Sequence, residues 1–333
     1  MLQNEMLDDV DCSLSPGTAA VQTPNSIVEE YLLRHVAVFK ELMKLKRRGW
    51  ENPKGDDFFK EQRIRADHAD ASGQSVFYNM MCQIGAELNN NTSALLLSSA
   101  IGGRPSVLDL CMAPGGFTAS VLKENRSARV CGISLPLSQG GYKILLPNWQ
   151  TDSRIQVCFL DITMLAAEMG ITDIPAEHPD AANFLSDRPF HGEKFDLIFC
   201  DGQVLRMHSR AEYRERREAW RLVNGKIVAL LHRLDAWDTV ALLHTLSKFS
   251  SLQLFKPRKK HAIRSSFYVV AEQVQSQSVD ALQAVATWKK EWYVATFGSD
   301  AGHLEARLGP YSDVDDPVWR IQGAALRRAS FLP

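Results

Sequence analysis

The stretch Asp109-Leu-Cys-Met-Ala-Pro-Gly-Gly-Phe117 decides the fold class of this 333-residue chain. It follows a short apolar run and precedes a helical pattern from Phe117 to Lys123, so it predicts the turn between a strand and a helix. Glycine permits backbone angles barred to other residues and a close approach of a ligand. The carboxylate of Asp109 is able to accept a hydrogen bond from a cationic amino group. A lone Gly-Gly would predict only a tight turn, whereas the whole nonapeptide favours a ligand-binding loop.

Further apolar segments predict strands at 129–135, 156–160, 195–200, 226–231, 252–256 and 266–271. Helical patterns at 213–222 and 237–249 separate some of them. Strands that alternate with helices predict a doubly wound, mostly parallel α/β sheet of the Rossmann-like kind. Ligands bind beyond the carboxyl ends of such strands, where Asp109, Asp161 and Asp201 fall. The dinucleotide motif G-x-G-x-x-G and the phosphate-loop motif are absent from the sequence.

The regions outside this α/β domain, which we expect at 99–275, are predicted to be largely helical. We expect a disordered tail over 1–24 and a helical extension over 25–98, with one helix from Ser26 to about Gly49 and another at 75–88. The charged segment 51–71 has no clear pattern. A C-terminal helical appendage over 276–333 is expected to contain a helix at 279–297, in which Trp288 and Trp292 pack against the protein and Gly298 forms the C-cap.

Composition excludes several classes of protein. With 45% hydrophobic and 23% charged residues, the chain is typical of a soluble globular protein. A net charge of -1 argues against binding of nucleic acid through the overall charge of the protein, but it is compatible with a local basic patch. No apolar run is long enough to span a membrane, and the N-terminus does not resemble a signal peptide. Six scattered cysteines without a C-x-x-C pair predict free thiols, no metal site and an intracellular location, cytoplasmic or nuclear. The oligomeric state stays open.

The motifs together resemble those of the FtsJ-type RNA ribose 2'-O-methyltransferases, a family that includes the cap methyltransferases. The resemblance covers roughly residues 75–275 and implies a class I methyltransferase fold. Besides the nonapeptide it rests on four segments, Gly132-Ile-Ser-Leu135, Phe195-Asp-Leu-Ile-Phe-Cys-Asp-Gly202, Phe255-Lys-Pro257 and Arg264-Ser-Ser-Phe-Tyr-Val-Val270.

This resemblance implies S-adenosylmethionine as cofactor. In the family the first-strand aspartate and the Pro-Gly-Gly loop hold it, which here implies Asp109, Ala113, Pro114, Gly115, Gly116 and Phe117. The aspartate after the third strand commonly faces the adenine, and Asp161 takes that place. Ser134 stands where the family often has an acidic residue for the ribose hydroxyls.

The catalytic set of the family is only partly present. Of its Lys-Asp-Lys-Glu set, the aspartate matches Asp201, while the other positions align with Tyr78, Leu230 and Ser266. Two interpretations follow. Either His232, two residues beyond the missing second lysine, acts as the base together with Asp201, or the domain is a catalytically inactive module that binds RNA or a partner.

A basic run between the last two strands makes RNA the expected partner. Its five fixed positive charges are suited to phosphate contacts, although a solvated loop or a nuclear-import signal would have the same composition. They are Lys256, Arg258, Lys259, Lys260 and Arg264. The first helix could extend this patch with Lys44, Lys46, Arg47 and Arg48.

Overall fold

A computed structural model describes residues 24–67, 71–98, 103–202, 225–262 and 264–298. Within them lies one seven-stranded sheet in the order β3-β2-β1-β4-β5-β7-β6. The first five strands pair in parallel and β7 runs antiparallel to both β5 and β6. The predicted Rossmann-like, mostly parallel sheet is therefore confirmed. The strands are β1 Ser106–Asp109, β2 Arg129–Ser134, β3 Ile155–Phe159, β4 Leu197–Cys200, β5 Gly225–His232, β6 Ser251–Phe255 and β7 Ser266–Val274.

Eight α-helices accompany the sheet in the described residues. The longest are α4 and α8, at 22 and 19 residues. The helix predicted at 213–222 lies outside the described residues, as does the tail predicted at 1–24 except for Pro24, which begins α1. The helices are α1 Pro24–His35, α2 Ala37–Trp50, α3 Pro53–Asp67, α4 Ala71–Thr92, α5 Gly116–Glu124, α6 Ala166–Met169, α7 Trp237–Ser247 and α8 Val279–Phe297.

The central strands are apolar because both faces of the sheet are covered. Alternate side chains of a strand point to opposite faces. Leu197 and Phe199 therefore join a cluster that contains Leu88 of α4 and Phe117 of α5. Ile198 joins the opposite cluster, with residues of α7 and α8. This sandwich of helix, sheet and helix leaves the carboxyl ends of the parallel strands as the edge on which a site can form.

The predicted single helix from Ser26 to Gly49 is wrong, because the structure has two helices there. Val36 separates them in an extended conformation, with φ -125° and ψ 96°. Apolar periodicity runs on across the break because Val28, Leu32, Val36 and Phe39 all belong to one buried cluster with Val240 of α7. The segment 51–71 that had no clear pattern contains α3, and α4 extends beyond the predicted 75–88 at both ends.

The C-terminal helix matches its predicted bounds. Ser278 caps it by accepting a hydrogen bond from the Ala281 amide at 3.2 Å. Trp292 is buried and packs near Phe184 and Phe297, while Trp288 is partly buried. The predicted packing role of both tryptophans is therefore confirmed. In the part of the chain that the structure describes, all five cysteines are free thiols, and no helix there is both long and apolar enough to cross a membrane.

Candidate functional site

Asp109 lies at the carboxyl end of β1, in the middle of the sheet. Its side chain is only 1% exposed, and the Thr118 hydroxyl of α5 donates a hydrogen bond to its Oδ2 at 2.7 Å. Burial raises the pKa of Asp109 to about 6 despite this hydrogen bond. The carboxylate is thus held in place at the edge where the adjacent strand β4 also ends.

Asp201 follows β4 directly and is the second carboxyl group of this edge. Its pKa is raised to about 8, first by burial and second by the negative charge of Asp109. The Tyr268 hydroxyl of β7 donates a hydrogen bond to Asp201 Oδ2 at 3.3 Å. Two neighbouring carboxyl groups, one buried and one half-buried, favour a cationic ligand, because a positive charge near them would stabilise both ionised forms.

The glycine loop between β1 and α5 has a special backbone. The Ala113–Pro114 bond is cis, and Gly115 has φ +101°, a conformation that favours glycine. The Leu145 amide donates a hydrogen bond to the Pro114 carbonyl at 2.9 Å. A Cβ on Gly115 would lie 3.2 Å from the Cβ of Leu146. This loop therefore needs glycine at 115 for its conformation.

Gly116 has a packing role that the motif does not reveal. A Cβ there would lie 2.5 Å from the Cβ of Met81 and 2.7 Å from the carbonyl oxygen of Tyr78, both on α4. Phe117 is fully buried, with its ring stacked on Phe199 at a centroid distance of 5.1 Å. Phe117 is therefore a packing residue of the core. Cofactor contacts by these residues, and by the neighbouring Ala113, stay predictions.

Ser134 and Asp161 lie at the same edge, at the ends of the adjacent strands β2 and β3. Ser134 is the last residue of β2 and is 4% exposed. Asp161 Oδ1 accepts hydrogen bonds from the amide and hydroxyl of Thr163, at 2.9 and 2.7 Å. One carboxylate oxygen of Asp161 thus stabilises its own turn. The predicted contacts of both residues with ribose and adenine stay predictions.

On the other side of Asp201, β5 ends at His232. This residue pairs with Ser266, the first residue of β7, and is exposed. The pKa of His232 is lowered, first by partial desolvation of the ring and then by the positive charges of Arg264 and Lys256. The imidazole is therefore neutral near pH 7 and able to accept a proton.

Sequence reasoning missed Tyr268, which contacts Asp201, and His261, which contacts Tyr268. The ring of His261 stacks on Tyr268 at 5.9 Å, and its Nδ1 lies 2.9 Å from the Ser266 hydroxyl. Burial and nearby positive charges lower the pKa of His261 to about 4. Strand alternation could have indicated Tyr268, since it lies on the same face of β7 as Ser266. No comparable signal marks His261, which lies in a loop.

The three positions aligned with the missing catalytic residues do not make a substitute set around Asp201. Leu230 pairs with Tyr268 across the two strands, and Ser266 contacts His261. Tyr78 lies against the start of α5, with its carbonyl oxygen beside Gly116. The hydrogen bond that Asp201 accepts comes from Tyr268 instead.

The predicted basic run forms an anchored loop between β6 and β7. Lys256 turns inward and donates hydrogen bonds to the carbonyl oxygens of Ser266, at 2.8 Å, and Arg264. The Arg258 amide donates to Glu87 Oε1 of α4 at 2.8 Å. The other four cations of the run are exposed, namely Arg258, Lys259, Lys260 and Arg264. Lys256 thus stabilises the loop, and the outer four are available to an anionic ligand.

Comparisons with solved structures find methyltransferases of low similarity. Human methyltransferase-like protein 13 in complex with SAH is 11% identical, with a TM-score of 0.35, over 72% of this chain and 99% of that one. The fibrillarin/Nop5p complex is 13% identical, with a TM-score of 0.32, over 55% and 80%. An O-methyltransferase family protein from Burkholderia thailandensis is 10% identical, with a TM-score of 0.33, over 76% and 73%. Comparison with curated proteins gave no significant match.

A family model carries more weight than these structures. The FtsJ-like methyltransferase model matches residues 92–274, which is more than half of the chain and spans the sheet, the glycine loop and both carboxyl groups. S-adenosylmethionine is accordingly the cofactor of the chain. The chain belongs to the FtsJ-like methyltransferase family.

Proposed function

We propose that this protein transfers a methyl group from S-adenosylmethionine to a ribose 2'-hydroxyl of RNA. The observation that carries the proposal is the arrangement at one sheet edge. Asp109, which is buried, and Asp201, which is half-buried, lie at the ends of adjacent strands, and the neutral His232 and the anchored basic loop lie further along the same edge. The carboxyl groups suit a cationic donor, and the basic loop suits a phosphate backbone.

The donor side consists of the residues around the glycine loop. S-adenosylmethionine carries an ammonium group and a sulfonium, and the sulfonium makes its methyl group electrophilic. Asp109, fixed by Thr118, would hold the positive end of this molecule, and the backbone of Gly115 would leave room for it. Asp201 would lie on the side of the donor that faces the acceptor. Ser134 and Asp161 would complete the pocket along the ends of β2 and β3.

The acceptor side must remove a proton from a hydroxyl whose pKa is far above 7. His232 is the candidate base because desolvation and neighbouring cations keep its ring neutral. In this role the imidazole would take the hydroxyl proton while the oxygen bonds to the methyl carbon and the methyl–sulfur bond of the donor breaks, which would leave the donor as a neutral thioether. The same cations disfavour a lasting imidazolium, and because His232 is exposed, the proton can pass on to solvent.

A non-catalytic RNA-binding module is the second candidate. The observation that favours it is the replacement of both family lysines and the glutamate by Tyr78, Leu230 and Ser266. Such a protein would keep the donor pocket and the basic loop but would lack turnover.

Tritiated methyl transfer to total cellular RNA separates the two candidates. We expect incorporation by the wild-type protein, with the label recovered in alkali-stable dinucleotides, and none into DNA, which lacks the 2'-hydroxyl. His232→Gln should lower the rate at least about 100-fold, as expected for general-base loss, and Asp201→Asn should also lower it. His191→Gln, an exposed histidine before β4, is the matched control. Label recovered in mononucleotides after alkaline hydrolysis refutes the ribose assignment. RNA binding without methyl transfer supports the second candidate.

A further inference from the structure

The N-terminal helices α1 and α2 form a hairpin that is fixed at the same sheet edge as the site. Asn25 Oδ1 accepts a hydrogen bond from the Trp237 amide at 2.9 Å, and Lys46 Nζ lies 2.6 Å from Asp235 Oδ2. Asp235 and Trp237 connect His232, at the end of β5, to α7. The turn of the hairpin at Val36 packs in one cluster with Val240, further along α7. Helix α2 therefore runs toward the carboxyl edge and reaches it at Lys46.

The last turn of α2 projects past this contact. Phe39, Met43, Lys46 and Trp50 recur at spacings of four, three and four residues, so they share one face of the helix. Phe39 is buried and Lys46 is half-buried, but Trp50 is 75% exposed. Four residues advance a helix by about 6 Å. Trp50 therefore lies on the same helix face as the packed residues, but about one turn beyond them, where it is exposed to solvent.

A row of contacts connects Lys46, one turn before Trp50 on α2, to the basic loop. The Arg233 amide donates a hydrogen bond to the Ser265 carbonyl at 3.3 Å. Arg233 Nε lies 3.5 Å from Asp235, which also binds Lys46. Arg47 is exposed and lies three residues before Trp50, on a neighbouring position of the helix surface. The rim of the acceptor side therefore extends from Arg264 through Arg233 to the end of α2.

An exposed indole beside an arginine is suited to a single-stranded nucleic acid. Unpaired bases stack on aromatic side chains, and arginine binds the phosphate between them. Helix α2 also exposes Val38, Leu42 and Leu45, but by helical geometry this stripe is turned about 100° away from Trp50. A protein docked on the stripe would leave the tryptophan uncovered.

We propose that Trp50 stacks on a base of the RNA strand that flanks the acceptor nucleotide, with Arg47 at the adjacent phosphate. This inference rests on the proposed RNA acceptor. It gives the helical extension a function in holding the substrate, separate from the donor pocket and from the methyl transfer itself.

Fluorescence anisotropy with a labelled single-stranded RNA of about 12 nucleotides tests the inference on the full chain. Trp50→Ala should weaken binding roughly 5- to 100-fold, the range expected for loss of one stacked base. Trp50→Phe keeps an aromatic ring and should retain most of the affinity. Leu45→Ala, on the other flank of α2, is the matched control and should bind like the wild type.

Salt dependence distinguishes stacking from charge. The loss in Trp50→Ala should be the same at low and high salt, whereas Lys259→Gln and Lys260→Gln should each reduce the slope of log affinity against log salt by about 1. Unchanged binding in Trp50→Ala, with losses in the lysine variants, overturns the inference and leaves the proposed function standing. No RNA binding by the wild type overturns both. A lowered melting temperature in Trp50→Ala, or an equal loss in Leu45→Ala, also overturns it, because the tryptophan would then be structural.

Discussion

Replacement of Gly116 by alanine should destabilise the protein through a clash that the distances define. The new Cβ would lie 2.5 Å from the Cβ of Met81, 2.7 Å from the carbonyl oxygen of Tyr78 and 3.0 Å from the amide nitrogen of Cys82. Ordinary contacts between carbon atoms lie at about 3.5–4.0 Å, so α4 and α5 must separate by about 1 Å. Two of the three neighbours are backbone atoms, which cannot move aside by a change of rotamer.

Overpacking of this kind costs about 1–3 kcal/mol, which lowers the melting temperature by roughly 1–4 °C at an unfolding entropy of about 2.1 cal/mol/K per residue. Thermal unfolding followed by circular dichroism measures the difference. Gly49→Ala is the matched control, because Gly49 also lies in a helix but has no atom within 4 Å of an added Cβ. That control should gain up to about 1 kcal/mol of helix stability. Equal melting temperatures for Gly116→Ala and the wild type would refute the packing role of this glycine.

Three further substitutions have defined outcomes. Asp201→Asn should stabilise the cofactor-free protein. Because the folded-state pKa of Asp201 is raised to about 8, ionisation of this carboxyl destabilises the wild-type protein as pH rises from about 4 to 8. Thermal unfolding at several pH values should therefore show a stability gain in the variant that grows over this range, and a constant gain would contradict the argument. Lys46→Ala should cost about 1 kcal/mol by breaking the partly buried pair with Asp235, and chemical denaturation should show that Lys44→Ala, whose partner Glu41 is exposed, costs less. Tyr268→Phe should cost about 1 kcal/mol at neutral pH by removing the hydrogen bond to Asp201, and no change in denaturation would rule that bond out.

The sequence predicts the sheet well because its strands carry strong local signals. The run Phe195–Cys200 is apolar except for Asp196, and its last four residues form the fully buried strand β4. The order of the strands and the antiparallel direction of β7 depend on pairing between residues far apart in the sequence. Periodicity alone contains no such information. The break at Val36 was missed for a related reason, since tertiary packing on α7 keeps the apolar pattern continuous across it.

The candidate site was predictable only where a residue lies in a motif. Asp109 and Asp201 end their strands, so the topology places them at one edge, as expected. Gly116 shows the limit of the motif, because the sequence does not distinguish a glycine needed for helix packing from one needed for ligand binding. His261 reaches Tyr268 from a loop whose path depends on the anchors at Lys256 and Glu87. No local pattern in the sequence encodes that path.

The donor pocket around Asp109 is most directly tested by calorimetric titration of the full chain with S-adenosylmethionine at about pH 7.5, where a carboxyl of pKa about 6 is ionised. The structure predicts binding of one molecule per chain and at least a tenfold loss of affinity in Asp109→Asn, about the effect of removing one buried charge partner. Asp173→Asn, an exposed carboxylate elsewhere, should bind like the wild type. Absence of binding by the wild type, or equal affinity in Asp109→Asn, would contradict the account.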